Sequence, residues 1–246
     1  MKARTSTKAS ITRTAGIVLL LLALDYLLLL GIGLLLTRTF KGDAWLTSEN
    51  DLNTDLADNR DPGLNRVSDI LSGLGNTAAI VGALVVVAVA LALAMRKWRP
   101  SIFLLVAVAG QALVFLCVQF AVKRPRPDVK RLDSGIPTSS YPSGHTGAAT
   151  ALFVGSALLV AWYVRKRWLR TLAVTVFLAV PLLVALSRLY RGAHHLSDVL
   201  AAYLNGGITI AIAAGLILAR GPLARFCQLE RDPADPQEAP VAAGAR

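Results

Sequence analysis

The chain has 246 residues, a formal net charge of +11 and a mean hydropathy of +0.55, with 54% of its residues hydrophobic and 17% charged. A soluble domain carries roughly a quarter charged residues, so this balance excludes an ordinary water-soluble globule and points to a membrane protein. The basic excess does not describe a nucleic-acid binder either, because Lys and Arg stand in short clusters between apolar runs and no nucleic-acid-binding motif accompanies them.

Six apolar stretches, at about 15–37, 77–95, 102–122, 146–164, 171–187 and 198–219, reach or approach the roughly 20 residues of helix that cross a hydrocarbon core. The expected fold is all-α, an integral membrane bundle of six transmembrane helices over 15–219, between a basic segment, 1–14, and a polar tail, 220–246. The first stretch follows Lys2, Arg4, Lys8 and Arg13, but its apolar core is too long for a signal peptide and no small-residue cleavage site follows it, so it reads as an anchor. Asp25 in its middle, with Gln111 and Asn205 in later spans, is expected to make a buried helix-to-helix hydrogen bond.

The first connection, 38–76, holds Asp43, Glu49, Asp51, Asp55, Asp58, Asp61 and Asp69. Within it Val67, Ile70, Leu71 and Leu74 fall at i, i+3, i+4 and i+7, the period of a short amphipathic helix that lies at the interface or packs as a loop helix. Arg96, Lys97 and Arg99, and then Arg165, Lys166, Arg167 and Arg170, mark the second and fourth connections as cytoplasmic, with both termini, and put the acidic loop outside. Alternation places the third connection outside too, although it carries Lys123, Arg124, Arg126, Lys130 and Arg131. Positive charge retained against the usual bias implies a task for it. Cys117 lies in an apolar run and Cys227 in the tail, so no disulfide is expected. The tail, with Asp232-Pro233, Asp235-Pro236 and Glu238, lacks any periodicity that could bury a core and is expected to be disordered.

All three histidines, His145, His194 and His195, fall at the outer ends of the fourth and sixth spans, beside the misplaced basic loop. Ser143 and Gly144 precede an apolar helix, so Ser143 can cap it and the first-turn N–H groups can face an anion. His145 in that turn can give a proton to a leaving oxygen, since imidazole titrates near neutral pH. His194 and Asp198 are four apart and share a face if the last helix already includes residue 194. A carboxylate there would hold one ring nitrogen protonated and leave the other to attack phosphorus. Arg126 and Arg188 supply planar forks for phosphate oxygens, while Arg124, Lys130, Arg131 and Arg191 need do no more than attract anionic headgroups. Each group also has a plainer explanation: a capping turn, a structural His–Asp pair, a solvated basic loop.

Taken together, Pro142-Ser143-Gly144-His145 and Ser187-Arg188, five residues, His194, three residues, Asp198 resemble the signature of the type-2 phosphatidic acid phosphatase superfamily, over about residues 119–202. The first motif departs from that pattern, since Gln119 stands seven residues before Arg126 where the family has a lysine; Lys123, one helical turn further on, could reach the same phosphate. The resemblance implies that His194 attacks phosphorus, Asp198 orients it and His145 protonates the leaving lipid oxygen. It assigns the phosphate to Lys123 or Gln119, Arg126, Ser143, Gly144 and Arg188. It implies no metal and no cofactor, and a substrate that is a lipid phosphomonoester or diphosphate: a polyprenyl diphosphate, phosphatidic acid or phosphatidylglycerol phosphate, met in the bilayer on its non-cytoplasmic side. Two rivals remain. His145, His194, His195 and Asp198 could make a zinc site, although Asp198 is the only acid in the histidine-bearing segments to orient an imidazole. Alternatively, Gln119 could mark a catalytically weak protein that binds or moves lipid phosphates.

Overall fold

A computed structural model describes residues 2–40, 42–133 and 138–218, with side chains from residue 12 onward. The expected disordered tail and Cys227 lie outside the described residues. The described chain is helical: α1 (Lys2–Leu34), a π-helical turn (Leu35–Thr39), α2 (Ala44–Asp58), α3 (Pro62–Gly73), α4 (Thr77–Met95) and α5 (Arg99–Ala121) are followed by α6 (Gly144–Ala149), which runs through a second π-helical turn (Thr150–Val154) into α7 (Gly155–Tyr163). Then come α8 (Arg167–Tyr190), α9 (Leu196–Ala213) and a last π-helical turn (Ala214–Leu218). Among the described residues six helices are long and apolar enough to cross a membrane: Thr12–Thr39, Thr77–Met95, Arg99–Ala121, Gly144–Tyr163, Arg167–Tyr190 and Leu196–Leu218. They match the six expected stretches and extend most of them to take in flanking charges such as Arg99, Arg167 and Arg188. Backbone hydrogen bonding carries a helix past the apolar core, and long basic side chains can end in the interface.

Burial sorts the spans. About half of α5 and of the α6–α7 span is buried within the bundle, against 6% of α4 and 17% of α8, so α5, α6–α7 and α9 form the centre and the others face lipid. Phe103, Leu104, Ala107, Ala149, Leu152, Val184 and Ala213 make the main apolar core, and Leu22, Leu29, Val114, Val118 and Tyr141 a second one between α1 and α5. Asn205 donates to the Gln111 carbonyl across α9 and α5 (3.2 Å), as expected. Asp25 is buried, but neither carboxylate oxygen has a hydrogen-bond partner among the described residues. At the end away from the histidines, the Arg99 Nη2 donates to the Leu218 carbonyl (2.9 Å) and ties the start of α5 to the end of the last span.

The acidic connection is two helices rather than one short one. α2 escapes sequence reading because the stripe it buries is polar, including Glu49 and Asn53 four residues apart. α3 begins with Asp61 as a cap, its carboxylate accepting from the N–H groups of Gly63 (2.8 Å) and Leu64 (3.1 Å), with Pro62 at the first helical position. Its apolar face, Val67 and Ile70 above all, is exposed, while Ser68 and Ser72 are buried against α8. That inverted arrangement suits a helix whose apolar side rests in the bilayer interface and whose polar side closes a site.

Candidate active site

At this end of the bundle α3, the start of α6, the end of α8 and the segment after α5 enclose a cavity of about 630 Å³. Arg126, His145 and Arg188, three of the expected site residues, line it together with Ser72, Asn76, Arg131, Asp133 and Arg191. His145 stands in the first turn of α6, and Gly75, at the corner between α3 and α4, lies so close that a Cβ there would meet His145 and Val184 at about 3 Å. The absent side chain therefore lets that corner abut the histidine.

Arg188 is 6% exposed, and its Nη1 donates to Ser72 Oγ and to Asp133 Oδ2, both at 2.7 Å. Arg191 Nε donates to the other Asp133 oxygen at 2.6 Å, and Arg191 also pairs with Asp69 (3.0 Å). The Asp133 carboxylate thus occupies the forks that an oxyanion would use. Burial pushes its pKa up, but Arg188 and Arg191 outweigh that and hold it below the usual carboxylate value. Arg188 Nε is buried with no partner among the described residues, an unused donor beside the cavity. Arg126 is fixed by three bonds, from Nη1 to Ala193 O (2.7 Å), Nε to Thr138 O (3.2 Å) and Nη2 to Thr138 Oγ1 (3.1 Å). Burial and the neighbouring charges of Arg131 and Arg188 push its guanidinium pKa down, the mark of a cationic cluster that an anion would relieve.

His194 sits in the turn between α8 and α9. Gly192 makes that turn, with φ +67°, and a Cβ there would also collide with Val129 at 2.6 Å. Because α9 begins only at Leu196, His194 is outside both helices, and the expected stacking on Asp198 is not what forms. His194 Nδ1 lies 2.6 Å from the Ser140 carbonyl and 3.9 Å from Asp198 Oδ2. A carbonyl can only accept, so Nδ1 carries the proton and the lone pair is on Nε2. Burial first, then the charges of Arg188 and Arg126, push the His194 pKa down to about 3, which keeps the ring neutral at ordinary pH. His194 is 4% exposed and is not among the residues that line the cavity.

Asp198 is fully buried and serves other partners: the His195 N–H (2.8 Å), His195 Nδ1 (3.2 Å) and Arg124 Nη1 (2.6 Å). Arg124 also donates from Nη2 to Glu49 Oε2 (2.9 Å). It is only 7% exposed, so it belongs to the interior rather than to the headgroup surface. Sequence reading also missed Glu49, Ser72, Asp133, Ser140 and the role of Arg191. Only Ser68 and Ser72 left a trace, as the polar stripe opposite Val67, Ile70 and Leu71.

Ser143 caps α6, its hydroxyl donating to Thr146 Oγ1 (3.0 Å) and accepting from the Thr146 N–H (3.4 Å). It is completely buried, and its own N–H donates to the Asp198 carbonyl (3.1 Å), joining the two motifs. Gly144 packs under Phe115, whose ring a Cβ would meet at 2.7 Å. Lys123 does not join His145 and Arg188. α5 ends at Ala121 and Val122 is extended, because Pro125 and Pro127 follow, so Lys123 is not one helical turn above Gln119. Both line a second cavity of about 740 Å³ with Arg124, Arg126 and Arg131. Arg126 is the expected phosphate ligand common to the two cavities.

The sequence profile of the PAP2 superfamily matches residues 100–222, half of the chain. A solved structure described as the first transmembrane PAP2 type phosphatidylglycerolphosphate phosphatase from Bacillus subtilis superposes with a TM-score of 0.68 at 20% identity, covering 79% of this chain and 93% of that one. Aquifex aeolicus LpxE gives a TM-score of 0.52 at 21% identity, covering 66% and 92%. Identities this low speak for the fold alone. No curated protein matches the chain.

Proposed function

The chain belongs to the PAP2 superfamily and is a membrane-embedded phosphoric ester hydrolase, and from that premise we propose that it cleaves a lipid phosphomonoester or diphosphate through a phosphohistidine on His194. The observation that carries this reading is the 2.6 Å contact from His194 Nδ1 to the Ser140 carbonyl, which fixes the tautomer a nucleophile needs. Asp198, 3.9 Å away, contributes charge to the cation that forms and holds the start of α9. Arg126 and Arg188 take the phosphate oxygens, with Asp133 yielding its place, and the α6 N–H groups at Gly144 and beyond add donors. Lys123 meets anionic groups entering by the second cavity.

In the first step the Nε2 lone pair forms the N–P bond as the P–O bond to the lipid breaks, and His145, which takes up a proton beside the anionic phosphate as substrate binds, gives that proton to the departing oxygen. The ring then carries the phosphoryl group on Nε2 and its proton on Nδ1, a cation stabilised by Ser140 O and the nearby carboxylate. In the second step water gives a proton to the now neutral His145 and attacks phosphorus, and the N–P electrons return to His194 as phosphate leaves. The site binds phosphate and not the tail, so a polyprenyl diphosphate, phosphatidic acid and phosphatidylglycerol phosphate all fit. With the acidic connection on the same end, the site faces the non-cytoplasmic side.

The test is inorganic phosphate release by detergent-purified protein in excess EDTA, from undecaprenyl diphosphate and from phosphatidic acid, beside His194→Ala. Release that persists in EDTA and falls by about a thousandfold or more in the variant is expected. Loss with EDTA would favour a zinc site, and no release from either lipid would favour a lipid-phosphate binding protein.

A further inference from the structure

The described residues place a second buried carboxylate, on a different helix, within one guanidinium of Asp198. Glu49 in α2 is 6% exposed, and both of its oxygens are used: Oε1 accepts from the Ser197 N–H (2.7 Å), and Oε2 accepts from Ser197 Oγ (2.9 Å) and Arg124 Nη2 (2.9 Å). Arg124 Nη1 in turn donates to Asp198 Oδ1 and to Ser197 Oγ, both at 2.6 Å. One guanidinium therefore serves two carboxylates, and Glu49 covers the N–H of the residue next to Asp198 in the first turn of α9. From the same helix, Asn50 reaches the other side of the site, with Oδ1 3.2 Å from His195 Nε2, while His195 Nδ1 faces Asp198.

A lone Arg124 beside a buried Asp198 would form a neutral pair and draw the carboxylate toward itself. Shared with Glu49, the guanidinium is pulled from both sides, and the trio carries one net negative charge in a water-poor setting where it acts strongly on His194. The helix N-terminus, itself partly positive, offsets the cost of burying two carboxylates. Neither Glu49 nor Arg124 lines the cavity that holds His145 and Arg188, although Arg124 reaches the second cavity beside Arg126.

We propose that Glu49 is a positioning residue for catalysis, acting through Arg124 and Ser197 to fix the place and the charge of Asp198 beside His194, so that the outer helix α2 is a working part of the active site. This rests on the reading of His194 as nucleophile. Since the action is on the step at His194 and not on phosphate binding, it should change kcat and spare KM.

The experiment compares purified full-length protein with Glu49→Gln, Arg124→Gln and the double variant, each taken as the monodisperse fraction, with Tm recorded and phosphatidic acid as probe. Gln keeps an acceptor for the Ser197 N–H and removes only the charge. Glu49→Gln should lower kcat about tenfold with KM within about twofold, and should add little to Arg124→Gln in the double variant, because the two act along one path. The double variant also removes the guanidinium left half-paired in Glu49→Gln, and is the second protein to assay if that single variant does not fold. A kcat within about twofold of the parent in folded Glu49→Gln or in the double variant, a loss confined to Tm or KM, or fully additive losses would each overturn the proposal. His194→Ala in the same assay separates the two readings: if it keeps its activity the nucleophile assignment fails, and if it is inactive while Glu49→Gln is normal only the role of Glu49 fails.

Discussion

Asp133 is the residue whose removal should help rather than harm. Its carboxylate occupies Arg188 and Arg191 at 2.7 and 2.6 Å, so in the proposed mechanism a phosphate has to displace a charge-assisted pair before it can bind. Asp133→Asn should lower KM for phosphatidic acid by about three- to tenfold, the worth of part of one such bond, with kcat changed little; a raised KM would mean that Asp133 organises the arginines instead of competing for them. His194 makes a pH prediction. Its folded pKa of about 3 lies below the ordinary 6.5, so between those values the unfolded chain binds a proton that the folded one refuses. The contribution is complete above about pH 6.5 and is lost as pH falls below it. From pH 7 to pH 5 the parent should lose about 2 kcal/mol through this group, which His194→Gln should not, so thermal melts at the two pH values should lie closer together for the variant. Of these residues the histidines and Arg188 were legible in the sequence, as fixed spacings. Ser140, which sets the tautomer, was not, because it acts through a carbonyl that any residue would supply.

At the scale of elements, α3 and α2 show two ways in which amphipathicity is read. α3 displayed its apolar stripe in the sequence, and the fold turns that stripe outward: Ile70 is 64% exposed. If this face rests in the bilayer interface, Ile70→Trp in vesicles containing brominated lipid should be strongly quenched, whereas a tryptophan at Thr54, exposed on α2, should be quenched little. Equal, weak quenching at both would place α3 in water. α2 showed no stripe because the side chains it buries, Glu49 and Asn53, are polar, and a hydrophobic period cannot reveal a helix held by ion pairs. The last helix makes the same point about boundaries. Spacing puts His194 on the face of Asp198 only if the helix has begun by residue 194, but Gly192, in the left-handed region, turns the chain first, α9 begins at Leu196, and His194 is left on Ser140.

For the whole molecule, the six spans put α2, α3 and the histidines at one end and the Arg96–Arg99 and Arg165–Arg170 clusters at the other. Sidedness can be tested in intact cells with a membrane-impermeant maleimide on variants carrying one added cysteine: Thr54→Cys should be labelled from outside and Lys166→Cys only after lysis, and the reverse pattern would invert the topology. The six-span all-α bundle is legible in the chain before any contact is known, because crossing hydrocarbon demands long apolar runs whatever their neighbours. The sequence also singled out His145, Arg188, His194 and Asp198 as candidates, because short-range motifs survive as strings. Who touches whom emerges only when the helices pack: Arg124 turned inward between Glu49 and Asp198, Asp133 set on the arginines, and Lys123 left on a separate cavity from His145. These pairings join residues as much as 75 positions apart, and their energy comes from buried charges that find partners only once the helices have packed.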